Sequence, residues 1–275
     1  MNLSCCIWTL NNGRQGLLRR MRRFFGKTRP ETKILQEVAD LGFAAADIQP
    51  QMQKANSSRS TLQSLGLEVT SVAASFGAPI NHNFAHENPD EVQQLADHLK
   101  SGIKHAANIG VNFCYVIPGP ERENKDLSSI APHYRDLAQF GHEQGVKIGI
   151  EHFPNTYLPT VSLTLDFINE INHPNLYLLF DIGHAQISKE DPAEVLPLAG
   201  DRLGFVHLDD NDGKEDLHLS LTEGVQSEDD LRNFFQVLDS MGYNGPVSLE
   251  LHPNLPNPRE ALRRSKQIVD RIRKN

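Results

Sequence analysis

The sequence predicts a single (β/α)8 TIM barrel, and three observations support that prediction. Signals for strands and helices alternate along the whole chain and give eight strand-helix units. The length of 275 residues suits a one-domain barrel, which typically takes about 250 residues. An open doubly wound sheet would call for a G-x-G-x-x-G turn after an early strand, and the chain has none. We therefore expect residues 1–275 to form one barrel domain.

The predicted strands are short apolar or β-branched runs bounded by turn residues. They cover residues 3–10, 43–49, 68–75, 112–117, 147–153, 176–181, 203–209 and 246–251. Residues 176–180 are an uninterrupted apolar run that ends in Asp181. Such a run is typical of a strand that is buried on both faces, as in the wall of a barrel surrounded by helices.

A helix signal follows each strand. The predicted helices cover residues 31–41, 52–65, 89–109, 129–144, 162–171, 192–198, 227–241 and 258–273. Asn88 is expected to cap the third helix, whose first residue is Pro89. Gly42 is expected to end the first, because glycine readily takes the left-handed conformation found after helices.

The composition excludes some classes of protein. With 39% hydrophobic and 23% charged residues, the chain resembles a globular protein and not a disordered or membrane one. The net charge of −8 opposes a nucleic-acid partner. Residues 1–8 are expected to form the first strand and not a signal peptide.

The chain has three cysteines. Cys5 and Cys6 are adjacent on a predicted strand and point to opposite faces, so we do not expect them to pair. Cys114 is the odd one left over. A reducing cytoplasm is the expected location, with no membrane association.

Residues 14–29 form a basic segment in the predicted loop between the first strand and the first helix. The segment carries seven positive charges with apolar residues between them. Charge runs are usually solvated, so an exposed insertion is the default interpretation. A lid or a phosphate-gripping loop is the sharper one, since this type of loop lies at the catalytic end of a barrel. A nucleic-acid contact is the least favoured.

Strands five to eight end in Glu151, Asp181, His207 and Glu250. In a parallel barrel these ends converge on one mouth, where the acidic groups would repel one another without a cation. We therefore expect one divalent metal ion, with these four residues as ligands. The oxygen-rich set suits Mn²⁺, Mg²⁺ or Co²⁺, and Zn²⁺ is not excluded. Taken singly, Asp181 or Glu151 is more typical of a helix N-cap than of a metal ligand.

Two glutamates at one metal ion suggest a reaction. The ion would polarise an oxygen of the substrate, one glutamate would remove the proton from the adjacent carbon, and the other would return one. Glu151 and Glu250 are the expected acid/base pair. The substrate would be a small hydroxycarbonyl compound.

Four other residues are candidates for contacting the substrate. His184 lies on the turn after Asp181 and is expected to donate to a substrate oxygen or to join the coordination shell of the metal, with a hydrogen bond behind the ligands as the alternative. Trp8 would form an apolar wall, although core packing is the default for it. Asp216 and His218, in a D-x-H arrangement, would hold the substrate or add metal ligands, with solvated loop residues as the alternative.

These motifs together resemble the xylose isomerase-like TIM-barrel superfamily of sugar and sugar-phosphate isomerases and epimerases. The resemblance rests on Glu151, on residues 180–185 (FDIGHA), 205–210 (FVHLDD) and 248–251 (SLEL), and on Thr222-Glu223-Gly224. It implies a single metal ion held by the four strand-end residues, Glu151 and Glu250 as acid and base, and a substrate contact from His184.

The D-x-H motif followed by Glu223-Gly224 also resembles endonuclease IV, a member of the same superfamily. Its zinc cluster needs histidines at the ends of strands two and three. Here those ends read Asp47-Ile48-Gln49 and Ala74-Ser75-Phe76. That departure argues against a trinuclear zinc site and against DNA hydrolysis.

The leading interpretation is a metal-dependent isomerase or epimerase of a small sugar, sugar phosphate or hydroxycarbonyl compound. The alternatives are a dehydratase or lyase that begins with the same proton abstraction, an endonuclease IV-like phosphodiesterase, and a non-catalytic binding protein. The sequence leaves open the sugar, its phosphorylation, and whether the protein is a homo-oligomer.

Overall fold

A computed structural model describes residues 3–11, 30–50, 55–79, 83–121 and 126–274 of the chain. The predicted basic insertion at 14–29 lies outside these residues, and the assignment of 1–275 to one domain stays a prediction. Eight parallel strands form a closed barrel in the order β1 to β8. The prediction of a (β/α)8 TIM barrel is therefore confirmed.

The strands are short and almost fully buried, because the barrel covers one face and the helices cover the other. They are β1 (Leu3–Cys6), β2 (Ala45–Ile48), β3 (Glu68–Ala73), β4 (Phe113–Val116), β5 (Lys147–Glu151), β6 (Leu176–Asp181), β7 (Leu203–Leu208) and β8 (Val247–Leu249). The predicted positions are correct, and most predicted ends are one to three residues too long.

Nine α-helices lie among the described residues. They are α1 (Glu31–Asp40), α2 (Ala55–Leu65), α3 (Pro89–Ile109), α4 (Ala131–Glu143), α5 (Val161–Ile171), α6 (Ile182–Ile187), α7 (Pro192–Val195), α8 (Glu228–Ser240) and α9 (Pro258–Lys274). Asn88 caps α3 as expected, accepting a hydrogen bond from Asp90 N–H.

Three local elements differ from the predictions. The helix predicted at residues 192–198 consists of α7 and the first residues of a 3-10 helix, Leu196–Arg202. Residues 7–10, predicted as the end of strand one, form a 3-10 turn, Ile7–Leu10. The turn is favoured because Thr9 Oγ1 bonds the Leu251 backbone and Trp8 Nε1 bonds Glu250, contacts that a continued strand would not make. The predicted turn after β6 is the short helix α6, because the Asp181 side chain caps it.

The lower half of the barrel is filled by aromatic rings. Phe113 stacks on Phe205 with a centroid distance of 5.2 Å. Gly149 and Gly204 make room for Phe113, since a Cβ at either position would lie 2.6 Å from its ring. Above this layer, Phe205 and Tyr115 both meet the His207 ring edge-on. The packed rings thus form a rigid floor for the mouth of the barrel.

Candidate active site

The four predicted metal ligands lie together at the carboxyl ends of β5 to β8. One donor atom from each of Glu151, Asp181, His207 and Glu250 lies within 4.8 Å of the others. The strand register produces this cluster, because Asp181 pairs with His207 across β6 and β7. Glu250 follows β8 and still donates its backbone N–H to Leu208 O.

His207 is the centre of the cluster and is fully buried. Its Nδ1 lies 2.7 Å from Glu250 Oε2, 3.3 Å from Glu151 Oε1 and 3.8 Å from Asp181 Oδ2. Burial by itself would lower the pKa of His207, but Glu250 and Glu151 outweigh it and hold the pKa well above its ordinary value. The Nδ1 edge of the imidazole therefore faces all three carboxylates of the cluster.

Glu250 has partners on both of its oxygens. Burial would raise its pKa, but His207 overrides that effect and lowers the pKa to about 2. Trp8 Nε1 donates to Oε1 of the same carboxylate at 2.9 Å. Trp8 is therefore more than the predicted apolar wall: it also fixes the orientation of a candidate catalytic group.

The geometry of Asp181 is compatible with both roles considered from the sequence, a helix N-cap and a metal ligand. Its Oδ1 accepts the His184 backbone N–H at 2.8 Å and caps α6. Its Oδ2 is buried and has no hydrogen-bond partner among the described residues. Burial raises the pKa of this carboxyl. Oδ1 thus caps helix α6, and Oδ2 faces the cluster.

These observations fit a divalent cation. Three carboxylates and one imidazole nitrogen converge, and one buried oxygen lacks a partner. An unpartnered buried carboxylate oxygen is costly unless something positive meets it. The donor types match the hard ions Mn²⁺, Mg²⁺ and Co²⁺.

A second polar network adjoins the first. His218 Nδ1 lies 2.8 Å from Asp209 Oδ2, and its Nε2 lies 3.0 Å from Asp216 Oδ1. Asp216 Oδ1 also lies 3.4 Å from His184 Nε2. Burial alone would raise the pKa of Asp216, but the two histidines hold it well below its usual range.

The two histidines of this network have the opposite shift. Burial would lower both values, but Asp181 and Asp216 raise the pKa of His184 to about 10, and Asp209 raises that of His218 well above the ordinary value. Carboxyl and imidazole groups thus alternate along the network. His218 has a φ of 43°, so its backbone is strained in order to present the ring.

His184 lies behind the candidate ligands. It is fully buried, its Nδ1 lies 3.0 Å from His152 O, and its ring contacts Phe153. His152 in turn accepts the Asp181 backbone N–H through Nε2. This geometry favours a hydrogen-bonded supporting role for His184, which was the alternative to direct substrate contact.

A cavity of about 500 Å³ opens above the cluster. Its lining combines apolar side chains with acids and histidines. The described lining residues are Trp8, Asn11, Gln49, Phe76, Ile117, Glu151, Phe153, Asp216, His218, Glu250, His252 and Pro253. Among the four candidate ligands, Glu151 and Glu250 belong to this lining, whereas Asp181 and His207 lie beneath it.

Several residues of the site were not singled out from the sequence. Asp209 binds His218, and its position two residues after His207 puts it on the same strand face, a signal that was available. Asn211 accepts the backbone N–H groups of Leu217 and His218. Cys6 and Asp47 lie below His207. No local sequence pattern indicates that Asn211, Cys6 and Asp47 belong to the site.

The comparison with protein families decides the assignment. A family model described as "Xylose isomerase-like TIM barrel" matches residues 35–268. The chain belongs to the xylose isomerase-like TIM-barrel family. The resemblance seen in the strand-end motifs of this family member is therefore confirmed.

Relatives within the family include an epimerase and a dehydratase. An L-ribulose 3-epimerase of Methylomonas sp. (strain DH-1) is 30% identical over 167 residues, 58% of this chain and 55% of that protein. An inosose dehydratase of Geobacillus kaustophilus (strain HTA426) is 25% identical over 280 residues, 88% of this chain and 87% of that protein. Over the curated relatives that match most significantly, the chain spans little more than half of their length.

A solved structure supports the fold of this family member. The crystal structure of a D-tagatose 3-epimerase-like protein matches with a TM-score of 0.79 at 20% identity, covering 100% of this chain and 99% of the other. Within the described residues, no helix has the length and apolarity needed to cross a membrane.

Proposed function

We propose that the protein is a divalent-metal-dependent epimerase or isomerase of a small sugar or related hydroxycarbonyl compound. One observation carries the proposal: Glu151 and Glu250 line the cavity and also face the cluster, while Asp181 and His207 lie beneath. A substrate in the cavity could therefore reach Glu151 and Glu250, two of the four candidate ligands. The L-ribulose 3-epimerase relative supports the same class of reaction.

The metal would be held by Glu151, Asp181, His207 and Glu250. When bound, it would polarise a carbonyl or hydroxyl oxygen of the substrate and so acidify the neighbouring C–H group. One glutamate of the pair, as the carboxylate, removes the proton from that carbon and becomes the acid. The other, which enters the cycle as the protonated carboxylic acid, delivers its proton to the same carbon and becomes the carboxylate. Their roles exchange with the direction of the reaction.

Other residues of the chain bind and orient the substrate. Trp8 Nε1 holds Oε1 of Glu250, which leaves the carboxylate little freedom to rotate. Asp216 and His218 line the cavity and offer a carboxylate and an imidazole to substrate hydroxyl groups. Phe76, Ile117 and Phe153 line it as well, and their apolar surfaces exclude water from the reacting carbon.

The decisive experiment follows solvent deuterium into the substrate. A panel of ketoses is incubated with the Mn²⁺-loaded protein in D₂O, and deuterium at the carbon beside the carbonyl is expected. Glu151→Gln and Glu250→Gln should each lower this exchange by at least about 100-fold, the lower end of a general acid or base contribution. Glu143→Gln, on the exposed surface of α4, is the matched control. Exchange that survives both active-site variants would refute the glutamate pair.

Metal content tests the ligand assignment separately. Asp181→Ala and His207→Ala should lose the bound metal. Asp191→Ala is the matched control, because Asp191 also caps a helix, α7, but lies outside the cluster. Full metal occupancy in either ligand variant would show that the assignment is wrong.

A dehydratase is the second candidate. The inosose dehydratase relative aligns with 88% of the chain, and the His184–Asp216–His218 network beside the cavity can deliver a proton to a departing hydroxyl group. Both reactions begin with the same proton abstraction. Mass spectrometry of the products separates them, since only the dehydratase removes water from the substrate.

The expected location and partners fit the same proposal. The three cysteines are free and buried, in keeping with a reducing cytoplasm. A small molecule is the expected partner. In the part of the chain that the structure describes, no donor from the ends of β2 or β3 joins a candidate metal cluster, so a multi-zinc nuclease is not proposed.

A further inference from the structure

A third buried polar group, separate from the metal cluster and from the His218 network, adjoins the Nε2 side of His207. It consists of Cys6 on β1, Asp47 on β2 and Ser248 on β8, all with no exposed surface. Cys6 pairs with Asp47 across β1 and β2, and His207 pairs with Ser248 across β7 and β8. The barrel register therefore brings the three side chains together under the cluster.

Cys6 Sγ is the hub of this group. It lies 3.5 Å from Asp47 Oδ2, 3.7 Å from Ser248 Oγ and 4.0 Å from His207 Nε2. The other Asp47 oxygen, Oδ1, accepts the Thr70 hydroxyl. A continuous path of polar contacts thus runs from Asp47 through the thiol to the imidazole.

The two nitrogens of His207 face opposite ways. Nδ1 faces the carboxylates of the cluster, and Nε2 points down to Cys6. An imidazole that offers its Nδ1 lone pair to a cation carries its hydrogen on Nε2. Among the described residues, Cys6 is the hydrogen-bond partner of that nitrogen.

We infer that Cys6, held by Asp47, is a positioning residue for His207: its sulfur accepts the Nε2 hydrogen, and its S–H donates to Asp47 Oδ2. This inference deepens the proposed function and rests on its metal centre. Histidine ligands usually donate their second N–H to a carboxylate, a carbonyl or water, which fixes tautomer and ring orientation. Here a thiol stands between the carboxylate and the ring.

The competing interpretation makes Cys6 a metal ligand. Donor atoms of Cys6, His207 and Glu250 also lie within 4.8 Å of one another. A thiolate ligand would add a soft donor to a centre of carboxylates. The two interpretations predict different spectra for the Co²⁺-loaded protein, because direct coordination by sulfur produces an intense near-ultraviolet charge-transfer band.

The test compares Co²⁺ binding in four proteins by titration. Cys6→Ala should bind Co²⁺ about 10- to 100-fold more weakly than wild type, the usual effect of losing such a supporting contact. Cys6→Ser, which can still accept and donate, should recover most of the affinity. Cys5→Ala is the matched control, because Cys5 is equally buried on the same strand but alternation turns it away from His207. Its affinity should equal that of wild type.

Three other results of the Co²⁺ titration would each contradict a different part of this inference. Equal affinity in wild type and Cys6→Ala would overturn the positioning role and leave the metal centre intact. A near-ultraviolet band present in wild type and lost in Cys6→Ala would show that Cys6 is a ligand. A wild-type protein that binds no Co²⁺ would overturn the proposed centre itself, and the positioning role with it. Thermal unfolding of the metal-free variants shows that each is folded.

The Asp47 contact is tested by a double-mutant cycle. Asp47→Asn should weaken Co²⁺ binding, and its effect should disappear when Cys6 is already alanine, because the path to His207 is then broken. Additive losses in the Cys6→Ala/Asp47→Asn protein would show that Asp47 acts on the metal centre by another route.

Discussion

At the scale of single residues, a polar side chain often serves two elements. The Asp181 carboxylate is an example: one oxygen completes the first turn of α6, and this bond restricts the direction in which the other oxygen can point. Helix capping is therefore not the alternative to ligand function that it seems from sequence. The cap would prepare Asp181 for the proposed ligand role, because the carboxylate has already lost rotational freedom.

Asn211 has a comparable role in the loop after β7. Its Oδ1 accepts the backbone N–H groups of Leu217 and His218 at 2.5 and 2.9 Å, and its Nδ2 donates to Asp209. One amide thus fixes both His218 and the acid that pairs with it.

Asn211→Ala should lower stability by about 1–3 kcal/mol, because two N–H groups lose their acceptor. Turnover should fall as well, since the His218 backbone loses a contact that helps to position its ring between Asp209 and Asp216. Urea unfolding and steady-state kinetics measure the two effects. Asn244→Ala is the matched control, because that amide is exposed and donates to the nearby Gly242 O. A variant with unchanged turnover would show that the loop is held by other contacts.

At the scale of elements, barrel closure depends on a short strand. β8 has three residues, and its pairing with β1 is extended beyond the strands by Thr9. Thr9 Oγ1 donates to Leu251 O at 2.7 Å and accepts Leu251 N–H at 3.2 Å. Glu250 lies just before this pair, so the hydroxyl also holds a candidate ligand in place.

Thr9→Val should destabilise the protein by about 1–3 kcal/mol, since it leaves the buried Leu251 N–H and C=O without a partner at nearly constant volume. Chemical denaturation measures the loss. Thr9→Ser keeps the hydroxyl and should be affected less. If the two variants are equally destabilised, the methyl group and not the hydrogen bonds supports the closure.

The sequence was informative wherever a local pattern determines the structure. The carboxyl ends of the strands meet in any parallel barrel. The sequence alone therefore predicts that four strand-end residues converge, namely Glu151, Asp181, His207 and Glu250. The 3-10 turn at Ile7–Leu10 could not be predicted, because its stabilising partners lie just after β8, more than 240 residues away. The Cys6–Asp47 contact depends on strand register in the same way.

At the scale of the whole molecule, a shared metal ion would tie four strands together. Ligands that bind only the folded state stabilise it by mass action, by about 2.7 kcal/mol at one hundred times the dissociation constant. For a chain of this size, chelation by EDTA should lower the melting temperature by about 5 to 10 °C. Calorimetry measures the shift, and Mn²⁺ should reverse it.

The Asp181→Ala variant provides the control for this measurement. Its melting temperature should not respond to EDTA or to Mn²⁺, because it lacks one of the four donors. An equal response in this variant would place the stabilising ion elsewhere on the protein.

The candidate ligands all come from β5 to β8, whereas β1 to β4 and the turns after them contribute Trp8, Asn11, Gln49, Phe76 and Ile117 to the cavity wall. In the proposed enzyme, the β5–β8 half would supply the reacting groups, and the β1–β4 half would supply part of the wall that meets the substrate. Chimaeras that exchange the amino-terminal portion between relatives should accept new molecules without rebuilding the reaction. Such exchanges must carry Cys6 and Asp47 with them, because both support His207 across the junction.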